Sequence, residues 1–373
     1  MTNNTELSLI LQSLQTTPTV FNEPINWPLF YNLLIQHRVW HQIKNIPTSK
    51  QFSQFCYHDK LKILTTASET ARIARAFNQR NLLYCVVKGI VLNSLIYQTL
   101  YSRPCKDIDV WVDPKTWHEA MSILKTLGYQ KKLPDYELKG FKERYYLTHK
   151  HDMAFYHPDR KIEVELHFRL SYFGIFFYKP TLSMLKTIDL FNTPVTTLHD
   201  DYHLLYLMIH GSIHGWMRLR WLHDIALFIK SKRCDLQHVL ALSQDIHCEH
   251  VVKQSLILAH DLFKLDNDVL CQLIQNPGRR VITLVTLVKQ FIASNYVMTD
   301  GVGNMNMFVK YRYYLLRLAV KRQKMNAILG DLFKIDMLFK SVTCPEKLAF
   351  MYYVLYPGWV VRYVFRNRFR KLP

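Results

Sequence analysis

Apolar residues recur at helical spacing towards both ends of the chain. Near the N-terminus, Leu7, Ile10 and Leu14 fit one apolar helical face, and the stretch 27–46 fits another. The segment 60–84 contains neither Pro nor Gly, which predicts a long helix. Beyond residue 173 the same spacing predicts helices at 200–215, 219–231, 236–245, 251–263, 281–294 and 310–324.

Between residues 84 and 168 the pattern changes to one typical of β-strands. Tyr84–Val87 is a short apolar run, and Asp107–Val112 alternates between polar and apolar residues. We expect further strands at Glu143–Thr148, Met153–Tyr156 and Lys161–Phe168, and helices at Ile90–Leu100 and Lys115–Leu127. Beyond Phe173 the β pattern fades, so no further strand is predicted.

These elements predict an α+β fold with three parts. A small mixed β-sheet core at 83–172 is flanked by a helical N-terminal region at 1–82 and a large helical C-terminal domain at 173–373. A length of 373 residues allows two or three domains of ordinary size.

Composition narrows the class of protein. Apolar residues make up 49% and charged residues 21%, which excludes wholesale disorder. The seven cysteines are scattered without a CxxC motif, the first residues lack the basic start of a signal peptide, and no run of about 20 uncharged apolar residues exists. We therefore expect a cytoplasmic protein without a transmembrane segment.

Positive charge is concentrated near the end of the chain. The net charge is +19, and residues 301–373 carry 14 basic and 3 acidic residues. Within the segment 353–371, aromatic residues alternate with Arg362, Arg366, Arg368 and Arg370. This pattern suits a packed terminal helix with a basic edge, a nucleic-acid-binding surface, or a membrane-surface helix. The charge itself favours an anionic partner.

Paired acidic residues on two predicted strands are the main candidates for chemistry. Asp107 and Asp109 are two positions apart, so their carboxylates project from one face of a strand. Glu163, Glu165 and His167 share one face of a later strand. Carboxylates placed together bind Mg²⁺ or Mn²⁺, and two such ions would suit a phosphoryl transfer. The alternative interpretation is a strand-end turn at Asp-x-Asp and a solvated sheet face at Glu-x-Glu.

An anion site is predicted upstream of the acidic pair. The run Val86-Val-Lys-Gly89 ends a strand and begins a helix, so backbone N–H groups converge at Lys88 and Gly89. Lys88 adds a positive charge, and Arg103 lies four residues before Asp107, where it could bind a phosphate through two hydrogen bonds.

The ordered set of motifs resembles the uncharacterised nucleotidyltransferase family, which belongs to the polymerase-beta-type nucleotidyltransferase superfamily. Three segments carry the resemblance: VVKGIVLNSLIYQTLYSRPCKDIDVWVD, IEVELHFRL and LLYLMIHGSIHGWMRLRWLHDIALFI. The resemblance places the phosphate-binding turn at Lys88 and Gly89, the metal-binding pair at Asp107 and Asp109, and the third carboxylate at Glu165. Ile90 stands where the superfamily pattern has a serine after glycine, and Glu163 competes with Glu165 for the third position.

Two histidines on a predicted helix form a weaker candidate. His210 and His214 are one helical turn apart, and with Asp224 they could form a second metal site or a base. The alternative is a packing contact between helices. His167 could orient a carboxylate, touch the substrate, or be an ordinary buried strand residue.

The leading hypothesis is transfer of a nucleoside monophosphate from an NTP to a hydroxyl acceptor, with release of pyrophosphate. The acceptor is expected to be anionic if the basic C-terminal segment binds it. The alternatives are a metal-dependent glycosyltransferase using Asp107 and Asp109, and a non-catalytic protein that binds nucleic acid or another partner.

Overall fold

A computed structural model describes residues 5–15, 24–43, 46, 49–172, 175–265, 267–294, 305–320, 324 and 334–369. The helices are α1 (Thr5–Gln15), α2 (Trp27–His37), α3 (Lys50–Gln79), α4 (Gly89–Leu95), α5 (Trp117–Thr126), α6 (Gly140–His149), α7 (Asp200–Ile213), α8 (Leu219–Lys230), α9 (Leu236–Asp245), α10 (Glu249–Phe263), α11 (Asp268–Leu273), α12 (Gly278–Ala293), α13 (Met305–Leu318) and α14 (Met351–Phe369). The strands are β1 (Tyr84–Val87), β2 (Asp107–Val112), β3 (Gln130–Leu133), β4 (Asp152–His157), β5 (Ile162–His167), β6 (Ser171–Tyr172), β7 (Ile175–Phe176), β8 (Leu185–Asp189) and β9 (Pro194–Leu198).

A five-stranded mixed sheet forms the centre of the fold. Its strand order is β1-β2-β5-β4-β3, in which β2 and β5 are parallel and the other neighbours are antiparallel. The register places Asp109 opposite Glu165 and Asp107 opposite Glu163. The α+β class with a small mixed sheet is therefore confirmed, and the sheet brings the two acidic strands side by side.

One strand prediction was wrong. The segment Glu143–Thr148 is part of α6, although its tyrosines favour strands. In the helix, Tyr145 stacks on His149 one turn later, with ring centroids 3.9 Å apart, and also contacts the Phe339 ring. Tyr146 faces Phe168 at a centroid distance of 6.3 Å. These packing contacts on two sides of a helix outweighed the local strand preference.

The prediction that strands end near residue 173 was also wrong. Strands β8 and β9 form a hairpin closed by two backbone hydrogen bonds between Leu190 and Thr193. The two turn residues, Phe191 and Asn192, both have positive φ, as a type I′ turn requires. The hairpin packs against β1, where the Thr197 hydroxyl donates to the Val86 carbonyl at 2.8 Å. It therefore covers the outer edge of the sheet.

A contiguous apolar core joins the three predicted parts of the chain. Buried residues from α1 and α2, from both faces of the central sheet, and from α7, α8 and α10 belong to this core. For example, the Gln15 side chain donates to the Leu262 carbonyl, which ties α1 to α10. A smaller cluster forms around Tyr145, Phe339 and Tyr352.

Candidate active site

The turn between β1 and α4 has an unusual backbone. Lys88 has φ 60° and ψ −147°, a conformation that only glycine adopts without strain, and Gly89 follows with φ 44°. The Lys88 N–H donates to Nε2 of His203, a fully buried residue of α7, at 3.3 Å. Burial lowers the pKa of His203 to about 3, so the ring is neutral and can accept this bond. His203 thus helps to hold the turn in place.

The acidic residues of β2 and β5 converge beside this turn. Ligand atoms of Asp109, Glu165 and His167 all lie within 4.8 Å of one another, close enough to bind one metal ion. The Lys88 ammonium lies 2.7 Å from Oδ1 of Asp109, and Nε2 of His167 lies 3.2 Å from the same oxygen. Asp107 lines the same cavity. Glu163 does not line it and pairs with Lys132 at 2.8 Å.

The buried charges in this cluster shift one another's pKa. Burial would raise the pKa of Asp109, but the Lys88 ammonium and the His167 hydrogen bond hold it well below its ordinary range. Burial and the neighbouring Asp109 charge raise the pKa of Asp107. Burial alone would lower the pKa of His167, yet its bonds to Asp109 and Glu165 raise it to about 9. His167 is therefore cationic at neutral pH and orients the carboxylate of Asp109.

A cavity of about 470 Å³ opens over these residues, and we call it the inner pocket. Its lining combines the acidic cluster with a cationic wall made of Arg38, Lys106, Arg218 and Arg220. Arg220 is buried, and its Nε atom has no hydrogen-bond partner within the described residues. The wall faces the carboxylates, so a ligand that carries phosphates and is bound through a cation would be matched on both sides.

Arg103 and Asp224 form an ion pair with each other. The buried Arg103 guanidinium donates to both carboxylate oxygens of Asp224, with Nε–Oδ distances of 3.0 Å and an Nη2–Oδ2 distance of 2.9 Å. The Tyr97 hydroxyl donates to the same carboxylate at 2.7 Å. Arg103 also lines the inner pocket, so its proposed phosphate contact stays a prediction.

His210 and His214 line the inner pocket without forming a metal site in the described part of the chain. Their ring centroids are 4.6 Å apart, and His214 stacks on Trp221 at 5.1 Å. Burial lowers the pKa of both rings. Since Asp224 is bound by Arg103, it does not supply the third ligand. The packing alternative fits this geometry better than a second metal centre.

Sequence reasoning missed all four residues of the cationic wall. Arg218 and Arg220 lie in the segment MRLRW, where Arg218 precedes α8 and Arg220 is in its first turn, and this pair was the available signal. Arg38 follows α2 in a left-handed conformation with φ 55°, and nothing in its local sequence connects it to the acidic strands. His203 was missed as well, because its contact with Lys88 depends on the packing of α7 against the turn after β1.

A model of the family described as uncharacterised nucleotidyltransferase matches residues 23–264, about two thirds of the chain. The chain belongs to this nucleotidyltransferase family. Membership implies that this nucleotidyltransferase is an enzyme with a nucleotide substrate and an acceptor. No curated protein is similar enough in sequence to count as a match.

Three solved structures are similar to parts of this nucleotidyltransferase. A solution structure of the antibiotic-resistance factor ANT(2'')-Ia shares 12% identity, with a TM-score of 0.35 and coverage of 49% of this chain and 91% of that one. A crystal structure of ANT(2'')-Ia with adenylyl-2''-tobramycin shares 13% identity, with a TM-score of 0.36 and coverage of 49% and 97%. An antigenic nucleotidyltransferase-like protein from Paracoccidioides brasiliensis shares 15% identity, with a TM-score of 0.32 and coverage of 52% and 93%. The family assignment rests on the sequence match and not on these structures.

Two further expectations from the sequence concern membrane-spanning helices and the basic C-terminal segment. Among the described residues, no helix has the length and apolar character needed to cross a bilayer. The backbone of α14 runs to Phe369, but the side chains of Arg366, Arg368 and Arg370 lie outside the described residues. Binding of nucleic acid or a membrane by this segment stays a prediction.

Proposed function

We propose that this enzyme transfers a nucleoside monophosphate from an NTP to a hydroxyl acceptor in a reaction that needs Mg²⁺ or Mn²⁺. The acceptor oxygen forms a bond to the α-phosphorus, the bond from that phosphorus to the bridging oxygen breaks, and pyrophosphate leaves. The observation that carries the proposal is the convergence of Asp109 and Glu165 opposite a cationic wall in one pocket.

Each side chain has a part in this reaction. Asp107, Asp109 and Glu165 would hold the divalent metal, and Glu165 would also accept the proton that the acceptor hydroxyl loses. The His167 hydrogen bond lowers the pKa of Glu165, but burial and the Asp109 charge together raise it by more, so the net upward shift makes the carboxylate a better base. Lys88, Arg103, the Gly89 N–H and Arg220 would bind the triphosphate and the leaving pyrophosphate.

The proposed ligands fit a hard divalent cation, since Asp107, Asp109 and Glu165 all offer carboxylate oxygens in one pocket, while His167 holds the Asp109 carboxylate in place. When bound, such an ion would draw electron density from the phosphate oxygens and so favour attack on phosphorus. The Lys88 ammonium contacts Asp109, so Lys88 would lie beside a cation held by this carboxylate, within reach of a phosphate bound there.

The glycosyltransferase alternative loses support, because a nucleotide-sugar site built on Asp-x-Asp alone does not account for Glu165, which lies opposite Asp109 on the neighbouring strand.

A cytoplasmic location remains a prediction, and the seven cysteines, all of them free thiols, are consistent with it.

Substitution of Glu165 and Asp109 tests the assignment. We expect Glu165→Gln and Asp109→Asn to reduce label transfer from α-labelled NTPs to a cell lysate by about 10²–10³-fold, the size of effect seen when one electrostatic contact to a transition state is removed. Glu163→Gln is the matched control, because it removes an acid from the same face of the same strand outside the pocket. Equal activity of the Glu165 variant and the wild type would contradict the proposal.

A further inference from the structure

A second cavity of about 520 Å³ lies next to the inner pocket, and we call it the outer pocket. The two cavities share Arg38, Cys105, Lys106 and Arg218 in their lining, so they are separated by little more than the cationic wall. Each is within the range of volumes typical of small-molecule sites. Two adjoining cavities of this size suit an enzyme with two substrates.

The outer pocket carries a surplus of positive charge. Lys62 joins Arg38, Lys106 and Arg218 in its lining, and Asp59 is the single carboxylate there. Within the described residues, no hydrogen bond or ion pair engages the side chains of Arg38, Lys62 or Lys106. An anionic ligand would supply the partners that these groups lack.

The Asp59 carboxylate offsets only part of this charge, because it is one acidic group among four cationic side chains in the lining. It accepts a hydrogen bond from Nε1 of Trp40 at 3.2 Å and contacts Nε2 of His41 at 2.9 Å. These bonds fix the indole of Trp40, so that residue can present a rigid surface to the cavity.

One side of the outer pocket is aromatic. The Trp40 and Phe55 rings meet edge to face with centroids 5.2 Å apart, and Phe55 is 37% exposed. A flat ring of a ligand could pack on these residues while its charged group reaches the cationic wall.

We propose that the outer pocket binds the acceptor, and that this acceptor carries a phosphate group next to a flat apolar ring. Its hydroxyl would then reach the inner pocket across the shared wall. The inference rests on the proposed function, because it assigns the NTP to the inner pocket and the second substrate to the outer one.

Fluorine NMR of the full chain labelled with 5-fluorotryptophan tests the inference. Phenyl phosphate serves as the probe, and the Trp40 signal is identified by Trp40→Phe, or by its displacement in Phe55→Ala if the first variant does not fold. We expect phenyl phosphate to shift the Trp40 signal in a saturable way. Inorganic phosphate should bind more weakly than phenyl phosphate, and phenol should give no shift.

Variants with matched controls measure separately how much a cationic side chain and an aromatic ring of the outer pocket contribute to the binding of phenyl phosphate. Lys62→Gln and Phe55→Ala should each weaken phenyl phosphate binding about three- to tenfold, as expected for one lost contact. Lys50→Gln and Tyr57→Ala change exposed residues of the same helix outside the pocket and should bind as the wild type does. No shift at tens of millimolar probe, an equal response to phenol, or wild-type binding by the Lys62 variant would overturn the proposal.

A parallel titration with ATP and Mg²⁺ distinguishes this inference from the proposed function. Trp221 lines only the inner pocket, so its signal reports the nucleotide. A Trp221 shift by ATP together with a silent Trp40 under phenyl phosphate would overturn the outer pocket alone. Displacement of phenyl phosphate by ATP at Trp40 would show that the outer pocket takes the nucleotide, which also overturns the acceptor assignment.

Discussion

Lys88 combines a strained backbone with a charge that pairs with the Asp109 carboxylate. Its φ of 60° and ψ of −147° cost a residue with a Cβ atom about 1–3 kcal/mol, and its ammonium pairs with Asp109. We therefore expect Lys88→Gly to be more stable than Lys88→Met by about 1–2 kcal/mol, although both remove the same charge. Urea denaturation of the two variants measures this difference.

The two variants of Lys88 should be equally inactive, because neither retains the ammonium. Any activity difference would show that the turn conformation itself limits the reaction. Equal stability of the glycine and methionine variants would contradict the strain argument.

The candidate site residues differ in how well they could be predicted from the sequence. Strand periodicity predicts that Asp107 and Asp109 share one face and that Glu163, Glu165 and His167 share another, but the choice of Glu165 over Glu163 came from the family resemblance. Arg38 could not be predicted, because it reaches the site through the packing of α2 and not through any local pattern. The partner of Arg103 was missed for the same reason: the acidic Asp224 lies on a distant helix.

At the scale of elements, the buried Arg103–Asp224 pair ties the loop before β2 to α8. Removal of one member leaves the other charge buried without a partner, which costs about 3–5 kcal/mol. We expect Asp224→Asn and Arg103→Met each to lose stability of this order in chemical denaturation, and the double variant Arg103→Met with Asp224→Asn to lose less than the sum of these two single changes. Additive losses would show that the two groups are not coupled.

The same variants test whether Arg103 also contacts phosphate. If it does, Arg103→Met should raise the dissociation constant of ATP with Mg²⁺ more than Asp224→Asn does. Equal dissociation constants of ATP in the two variants would show that Arg103 stabilises the structure and does not contact phosphate.

Among the elements, helix α9 could be predicted with its bounds, and α7 and α8 nearly so, because their apolar positions follow helical spacing without interruption. Strand β3 was missed because its four residues are all exposed and carry no alternating pattern. The β8–β9 hairpin was missed because its turn is Phe191-Asn192 and lacks the glycine that usually marks such turns.

At the scale of the whole molecule, buried neutral histidines predict sensitivity to acid. Burial lowers the pKa of His37 and His223 to about 4, against 6.5 in an unfolded chain. Between these values the unfolded chain binds more protons than the folded one, so stability falls as the pH falls from 6.5 towards 4. Each such histidine should remove about 2 kcal/mol between pH 7 and pH 5.

The variant His37→Gln isolates this effect, since a glutamine oxygen can replace Nδ1 as acceptor for the Leu219 N–H. Its deficit relative to the wild type should shrink by about 2 kcal/mol when denaturation is measured at pH 5 instead of pH 7. His58→Gln changes an exposed histidine and serves as the control. An equal deficit at both pH values would contradict the prediction.

The sequence positions of the cationic wall residues affect the order in which the pocket forms during synthesis. Arg38 leaves the ribosome long before the acidic strands, and Arg218 and Arg220 leave well after them, so roughly half of the chain separates the two ends of one wall. Contacts between such distant positions carry a large loop-closure cost and form late in folding. A nascent chain that has completed its central sheet therefore already holds the carboxylates while the pocket around them is still open. We expect the proposed activity only after α8 has packed against the sheet.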